Sequence, residues 1–439
     1  MWKAFKWMSA GAFALLVTAA VGLAALGWYM NARYDARIAE LRAAGEIVDF
    51  PDLAPAPVPD ARNAAVVYKE AAGKLDGFEE GDAYGDLVEA VNSGKPLTDA
   101  QTADARARVR KAAGALPLIR VAAAMPECRF PLDYGSPEPI AMLLPHLAEQ
   151  RQFARLLQLS SRVNLADGRA DAAADDIAAL YGVARSLDRE PVLVSSLVRT
   201  AILSIAAEET QNLLDKAEPS EAALARLAAA MPAPGDRSAL TAAFVGERAA
   251  GLAIFGQIRR GEPLQADCGS EFRLFNNLPM VWMGRGWLMY DGQVYIDVMG
   301  EFVRLAKMPS HRSAEGLRAL QSRFRQNAPW THPLTSLLLP TLARVHSLFD
   351  RAVARTDAAR AAVALRRHKL AAGSYPARLE DLPAALLPGG VPDDPFSGKG
   401  LRYKTDGKGF VVWSVGENTT DEGGRHGFED ADIAVTVRR

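Results

Sequence analysis

Between Trp7 and Met30 no residue carries a charge. That run of about 24 residues is long enough to cross a hydrocarbon core about 30 Å thick. Lys3 and Lys6 precede it, and Trp7, Trp28 and Tyr29 stand where interfacial aromatics belong. A cleaved signal peptide has a shorter apolar run of about 7–15 residues, so the pattern predicts a retained membrane anchor. Residues 31–45 then read as a charged, helix-prone stalk. Phe50 to Pro59, with prolines at 51, 55, 57 and 59, reads as a stiff spacer.

From Asp60 to about Asn327 the apolar positions recur every three or four residues, the period of helices. Asp60 is the expected cap of a helix through Ala72. Thr98 and Gln101 form a capping-box pattern. The stripe of Leu147, Phe153, Leu156, Leu157 and Leu159 ends at Asp167-Gly168, and Ile177, Leu180 and Val183 follow on a second helix, which predicts an αα-hairpin. Further helices are expected from Glu190-Pro191, from Pro219-Ser220, over Asp236–Arg260 and over Val281–Lys307. No second copy at a 34-residue period supports a repeat array. The region reads as an all-α bundle or an irregular solenoid.

Near the carboxyl end the pattern changes. Leu338, Leu342, Val345, Phe349, Ala352, Thr356, Ala359 and Val363 mark one face of a long helix from Pro340 to Ala372, closed by Gly373 and Pro376. Asp406-Gly407 between LRYKT and KGFVVWSV predicts a β-hairpin. The fold class is therefore mainly α: a transmembrane helix (1–30), stalk and linker (31–60), helical domain (61–333), and an α+β module of long helix plus small antiparallel sheet (334–439).

The last loop carries Glu417, Asn418, Asp421, Glu422, Glu429, Asp430 and Asp432 among Gly416, Gly423, Gly424 and Gly427. Oxygen-rich side chains on a glycine-rich backbone suit a hard cation such as calcium, and they equally suit a solvated acidic loop. The spacing is not that of an EF-hand.

Taken in order, the long helix, Asp394-Pro395-Phe396 with Gly398, the hairpin, Ser414-Val415-Gly416, the acidic loop and Ala431-Asp432-Ile433 resemble the soluble domain of the major pseudopilin of type II secretion systems, over Arg355 to Val437. The resemblance implies a pilin-like fold and calcium in the last loop. It puts the Val415 carbonyl and the Asp432 carboxylate on ligand positions. Asn418 falls where that family usually has an aspartate, and Asp421 or Asp430 is available to compensate. In that family the long helix is itself the membrane segment. Here it carries Arg344, His346 and Asp350, so a fibre is not implied.

The remaining composition narrows function further. The net charge of −1 and the lack of any like-charge block give no footprint for nucleic acid. Cys128 and Cys268 are the only cysteines; they are a possible disulfide or two separate thiols. No zinc-hydrolase, nucleophile-elbow or phosphate-loop motif occurs, so no catalytic residue is assigned. Trp282, Trp287, Met289, Tyr290 and Tyr295 form an aromatic cluster, read either as packed core or as a groove lining.

Lys3 and Lys6 nearly balance Arg33, Arg37 and Arg42 across the span, so the positive-inside count does not orient it. The single span and the calcium reading place the bulk on the periplasmic, extracytoplasmic side of the cytoplasmic (inner) membrane. The expected role is a binding or assembly component working with secretion-system or envelope proteins. The alternative is an envelope hydrolase with its site in the helical domain.

Overall fold

The computed structural model describes residues 2–75, 77–81, 83–92, 97–260, 262, 280–326, 332–425 and 432–438. One long helix, α1 (Trp2–Ala43), opens the chain. The helical body follows as α2 (Ala64–Ala72), α3 (Ala83–Asn92), α4 (Asp99–Lys111), α5 (Leu116–Ala124), α6 (Pro145–Ala166), α7 (Ala170–Arg185), α8 (Leu193–Lys216), α9 (Glu221–Ala230), α10 (Ser238–Arg260), α11 (Met280–Ala306), α12 (Ser310–Gln326) and α13 (Pro333–Ala372). A sheet of β1 (Arg402–Thr405), β2 (Phe410–Ser414) and β3 (Ile433–Val437) ends it.

Residues 11–26 of α1 are exposed, with Phe13 70% and Leu16 69% accessible. An apolar helix left bare for that length fits a transmembrane helix. α10 is less apolar, though long enough to span, and mostly buried, as a core helix is. Residues 31–50 do not stand free as a stalk. Tyr34, Ile38, Leu41 and Val48 recur at helical spacing and join a core built by α10, α11 and α13, and Phe50 stacks on Tyr134 at 5.8 Å. Past Leu53 the prolines keep their extended preference: residues 54–59 form neither helix nor strand, with ψ of 119° at Ala54 and 139° at Pro59.

Local signals set most of the body. Thr98 and Gln101 make the expected capping box. Asn63, rather than Asp60, caps α2: its Oδ1 accepts from Ala65 N and from Arg129 N. Asp60 lies in a short 3-10 turn. The second contact ties the cap to a distant segment, which a local reading of Asp60 misses. α6 and α7 form the expected αα-hairpin, turned at Gly168 with φ of 73°. α7 meets α5 so closely that a Cβ on Gly182 would lie 2.3 Å from the Ala123 carbonyl oxygen. Between α6, α7 and α8 the buried carboxylates are satisfied. Asp176 accepts from Arg120, Ser160 and Asn164, and Glu209 pairs with Arg162 at 2.7 Å.

α13 starts at Pro333 and runs through Pro340. Asp291, on α11, supplies the cap: its Oδ2 accepts from Leu334 N (2.8 Å) and its Oδ1 from Thr335 Oγ1 (2.6 Å). Further along, Ala358, Ala359, Ala361, Ala362, Val363 and Leu365 are wholly buried. A helix buried all round is a central one. α8 covers one side of α13; β2 and β3 cover the other. One core therefore runs from Tyr68 to Val437, and the boundary drawn at 333/334 is one of chain order, not of packing.

The sheet is antiparallel in the order β1-β2-β3, with Thr405 opposite Phe410 and Ser414 opposite Ile433. Asp406 Oδ1 accepts from Lys408 N and Gly409 N, which closes the expected hairpin.

Candidate cation site in the C-terminal loop

The acidic loop leaves the end of β2 and returns along it. Gly416, Thr419, Gly423 and Gly424 all have positive φ, so the chain coils tightly. Gly424 lies against β2, where a Cβ would come within 2.3 Å of Val411 Cγ1. Its N–H donates to Asp432 Oδ2 at 2.7 Å.

That bond leaves Asp432 half satisfied. The residue is 4% exposed, and its Oδ1 is buried without a hydrogen-bond partner. Glu422 lies within hydrogen-bonding reach of Asp432. Its Oε1 accepts from Asn418 Nδ2 at 2.8 Å, and its Oε2 is likewise buried without a partner. Burial, and then the neighbouring Glu422, push the Asp432 carboxyl above its usual range, against the Gly424 hydrogen bond. Two carboxylates thus lie close together in a poorly solvated place, and among the described residues no positive group pairs with either unpartnered oxygen. A hard cation would supply the missing charge, although among the described residues no third acidic, histidine or cysteine side chain joins these two.

The sequence-predicted ligands divide. Asp432 is in the cluster, and Asn418 touches it through Glu422. Val415 is fully buried at the end of β2, where its N–H donates to Asp394. Asp421 is near but already fully engaged. Its Oδ1 accepts from Trp413 Nε1 (2.9 Å) and Gly423 N (3.1 Å), and its Oδ2 pairs with Arg402 Nε (2.7 Å). These donors hold its carboxyl below the usual range. Asp430, Glu429 and His426 lie outside the described residues. Glu422 was the residue passed over; its only signal was a place in the acidic run. Glu417 serves as a tether to α13, through Ser347 and Arg351.

Asp394 holds the base of the loop. It is wholly buried and accepts from Ser414 Oγ (2.7 Å), Ser397 Oγ (2.8 Å), Phe396 N (3.0 Å) and Val415 N (3.1 Å). Phe396 packs with Val415 and Ile433 on Ala354 of α13. His311, at the start of α12, donates its N–H to Pro395 O at 2.8 Å, joining the body to this turn.

Elsewhere, Ser313 Oγ lies 3.2 Å from His346 Nε2, and Asp350 lies 3.8 Å from His346 Nδ1. This has the connectivity of a serine triad but no access, since all three side chains have zero exposure. Arg237 also points at His346 Nε2, from 3.0 Å, and burial with this charge pushes the imidazole down to about 4. A groove of about 320 Å³ between α11 and α12 has its carboxylates, Asp297 and Glu301, paired with Arg37 and Arg304. In the aromatic cluster Met289 and Tyr295 are buried, and Tyr290 is 42% exposed. The side chains of Trp282 and Trp287 lie outside the described set. Cys128 is a half-buried thiol. Cys268, the other half of the possible disulfide, lies outside the described residues.

Comparison with family models, with curated proteins and with solved structures finds no match in any of the three.

Proposed function

We propose that this chain is a membrane-anchored envelope protein whose C-terminal loop is closed by calcium, and that it serves as a binding or assembly component beside a type II-like secretion or surface-filament system. The observation that carries the calcium reading is the pair of buried, unpartnered oxygens on Glu422 and Asp432. Calcium would be held by those two carboxylates, with the Val415 carbonyl and Asn418 in reach of the same loop. Its charge would relieve their mutual repulsion and fasten β3 to the loop. The bare apolar half of α1 supports the anchor, and the order of long helix, hairpin and acidic loop supports the secretion-linked role through the pseudopilin resemblance. An extracytoplasmic body suits a calcium-dependent part, because calcium is plentiful there.

The test is thermal melting of the full chain in detergent, with calcium or with EGTA. Calcium at a hundredfold over its Kd stabilises by about 2.7 kcal/mol, so the melting temperature should rise. Glu422→Gln should abolish most of that rise, while Asp421→Asn should keep it. The pH dependence has a definite sign. With the folded Asp432 pKa raised, the metal-free fold holds a proton that the unfolded chain releases. Its stability therefore falls as pH rises through the carboxylate range, and calcium competes with that proton, so affinity drops as pH falls. Identical melting with calcium and with EGTA at neutral pH sinks the metal reading. Capture of envelope or secretion proteins from native membranes, weakened by EGTA, would support the role; recovery of none would count against it.

A further inference from the structure

α1 and α11 lie side by side and run in the same direction. Gln293 Nε2 donates to Met30 O at 3.1 Å across a separation of 263 residues, and Arg37 pairs with Asp297 across 260. Between Met30 and Arg37 on α1, Tyr34 would lie within 2.8 Å of a Cβ on Gly292. Offsets of 258–263 over two turns make a parallel register. Subtracting them puts Tyr290 level with residues 27–32 of α1, and Met280, where α11 begins, level with residues 17–22.

That level is inside the uncharged run. At 1.5 Å per residue, α11 begins about 15 Å deeper than Met30. The sequence of those turns, Met280 to Leu288, reads MVWMGRGWL, with Arg285 as its one charge. Arginine a turn or two below the headgroups is within general snorkelling reach. At the upper edge, Trp28, Tyr29 and Tyr290 are 75%, 49% and 42% exposed at one height, an aromatic belt shared by two helices. Above it comes a charged tier. Arg33 sits over the Tyr29 ring, and Arg259 Nη2 donates to Asp35 Oδ2 at 2.9 Å. α10 descends antiparallel to α1, with Arg248 beside Glu46 and Arg259 beside Asp35, and it ends at that tier.

We propose that Met280–Trp287, the first turns of α11, are embedded in the phospholipid leaflet from which α1 emerges, so that the body stands on a two-helix foot. The occupant of this surface is the bilayer itself, because the register with α1 leaves these turns at no other height. The inference rests on α1 spanning a membrane.

The wild-type full-length chain serves as its own test. It is reconstituted in phosphatidylcholine–phosphatidylglycerol vesicles, exposed to a lipid-soluble diazirine carbene reagent, digested and mapped by mass spectrometry. Label is expected on residues 11–26 and on 280–287. None is expected at Leu143 or Val194, which are 87% and 51% exposed on the body. Label on α1 but not on 280–287 overturns the embedding and leaves the span standing. Absence from both overturns the span and the embedding together. Equal label at Leu143 and at 280–287 also overturns the embedding, because the reagent would then report exposed apolar side chains and not lipid.

Discussion

Asp394 is the residue on which the C-terminal module is fastened. Its carboxylate gathers two hydroxyls and two backbone N–H groups from two stretches of chain, 396–397 and 414–415, with no exposure to water. Asp394→Ala would leave those donors buried and unpaired, at a cost on the order of 3–5 kcal/mol. Asp394→Asn keeps one acceptor oxygen and should cost less. Denaturant melting of the full chain, followed by Trp413 and other tryptophans, should show that order: wild type, Asn, then Ala. An Ala variant as stable as the wild type would mean that the turn is held by Phe396 packing alone. The contrast with Asp421 is instructive. Both aspartates collect donors, but Asp421 does so at the surface, facing Arg402, while Asp432 and Glu422 are left with oxygens that no described residue satisfies.

At the scale of elements, α13 decides whether the C-terminal part is a domain. Its run Ala361–Leu365 is buried on every side, and α8 supplies one of those sides. A Leu334–Arg439 fragment would therefore expose the α8-facing alanines and valine, and it is expected to show no cooperative melting transition, with or without calcium. Circular dichroism of that fragment checks this; a sharp two-state melt would show that helix and sheet suffice alone. The sequence was legible where structure is local. The Thr98–Gln101 cap, the Gly168 turn and the Asp406-Gly407 hairpin each depend on residues within a few positions. It was illegible where partners come from afar. α13 begins seven residues before Pro340 because Asp291, on another helix, caps it. The stripe Tyr34, Ile38, Leu41 is plain as a helical face, but nothing local says that α10 and α11 cover it. In the candidate site, Asp432 was readable from its motif. Glu422 was not, because its facing position depends on a coil of positive-φ residues that brings it back to β3.

Across the whole molecule, α1 divides into two halves with different duties. Residues 11–26 touch little of the body, and from Gly27 onward the helix is partly covered. Removing residues 2–26 takes away surface that contributes nothing to the protein's own core, so the shortened chain should melt within about 2 °C of the full one. It should also be released by alkaline carbonate, which leaves spanning helices in place, because no full apolar span remains in α1. Removing residues 2–45 is a different operation. It deletes Tyr34, Ile38 and Leu41 from the core, breaks the Arg259–Asp35 and Arg37–Asp297 pairs, and uncovers the faces of α10 and α11. Large losses from buried aromatic and aliphatic side chains run to several kcal/mol, so that chain should aggregate or melt far lower. Comparing the two deletions by carbonate extraction and thermal melting separates anchor from buttress. If the shorter deletion already collapses the melt, residues 2–26 pack on the body and the free-standing half of α1 is not free.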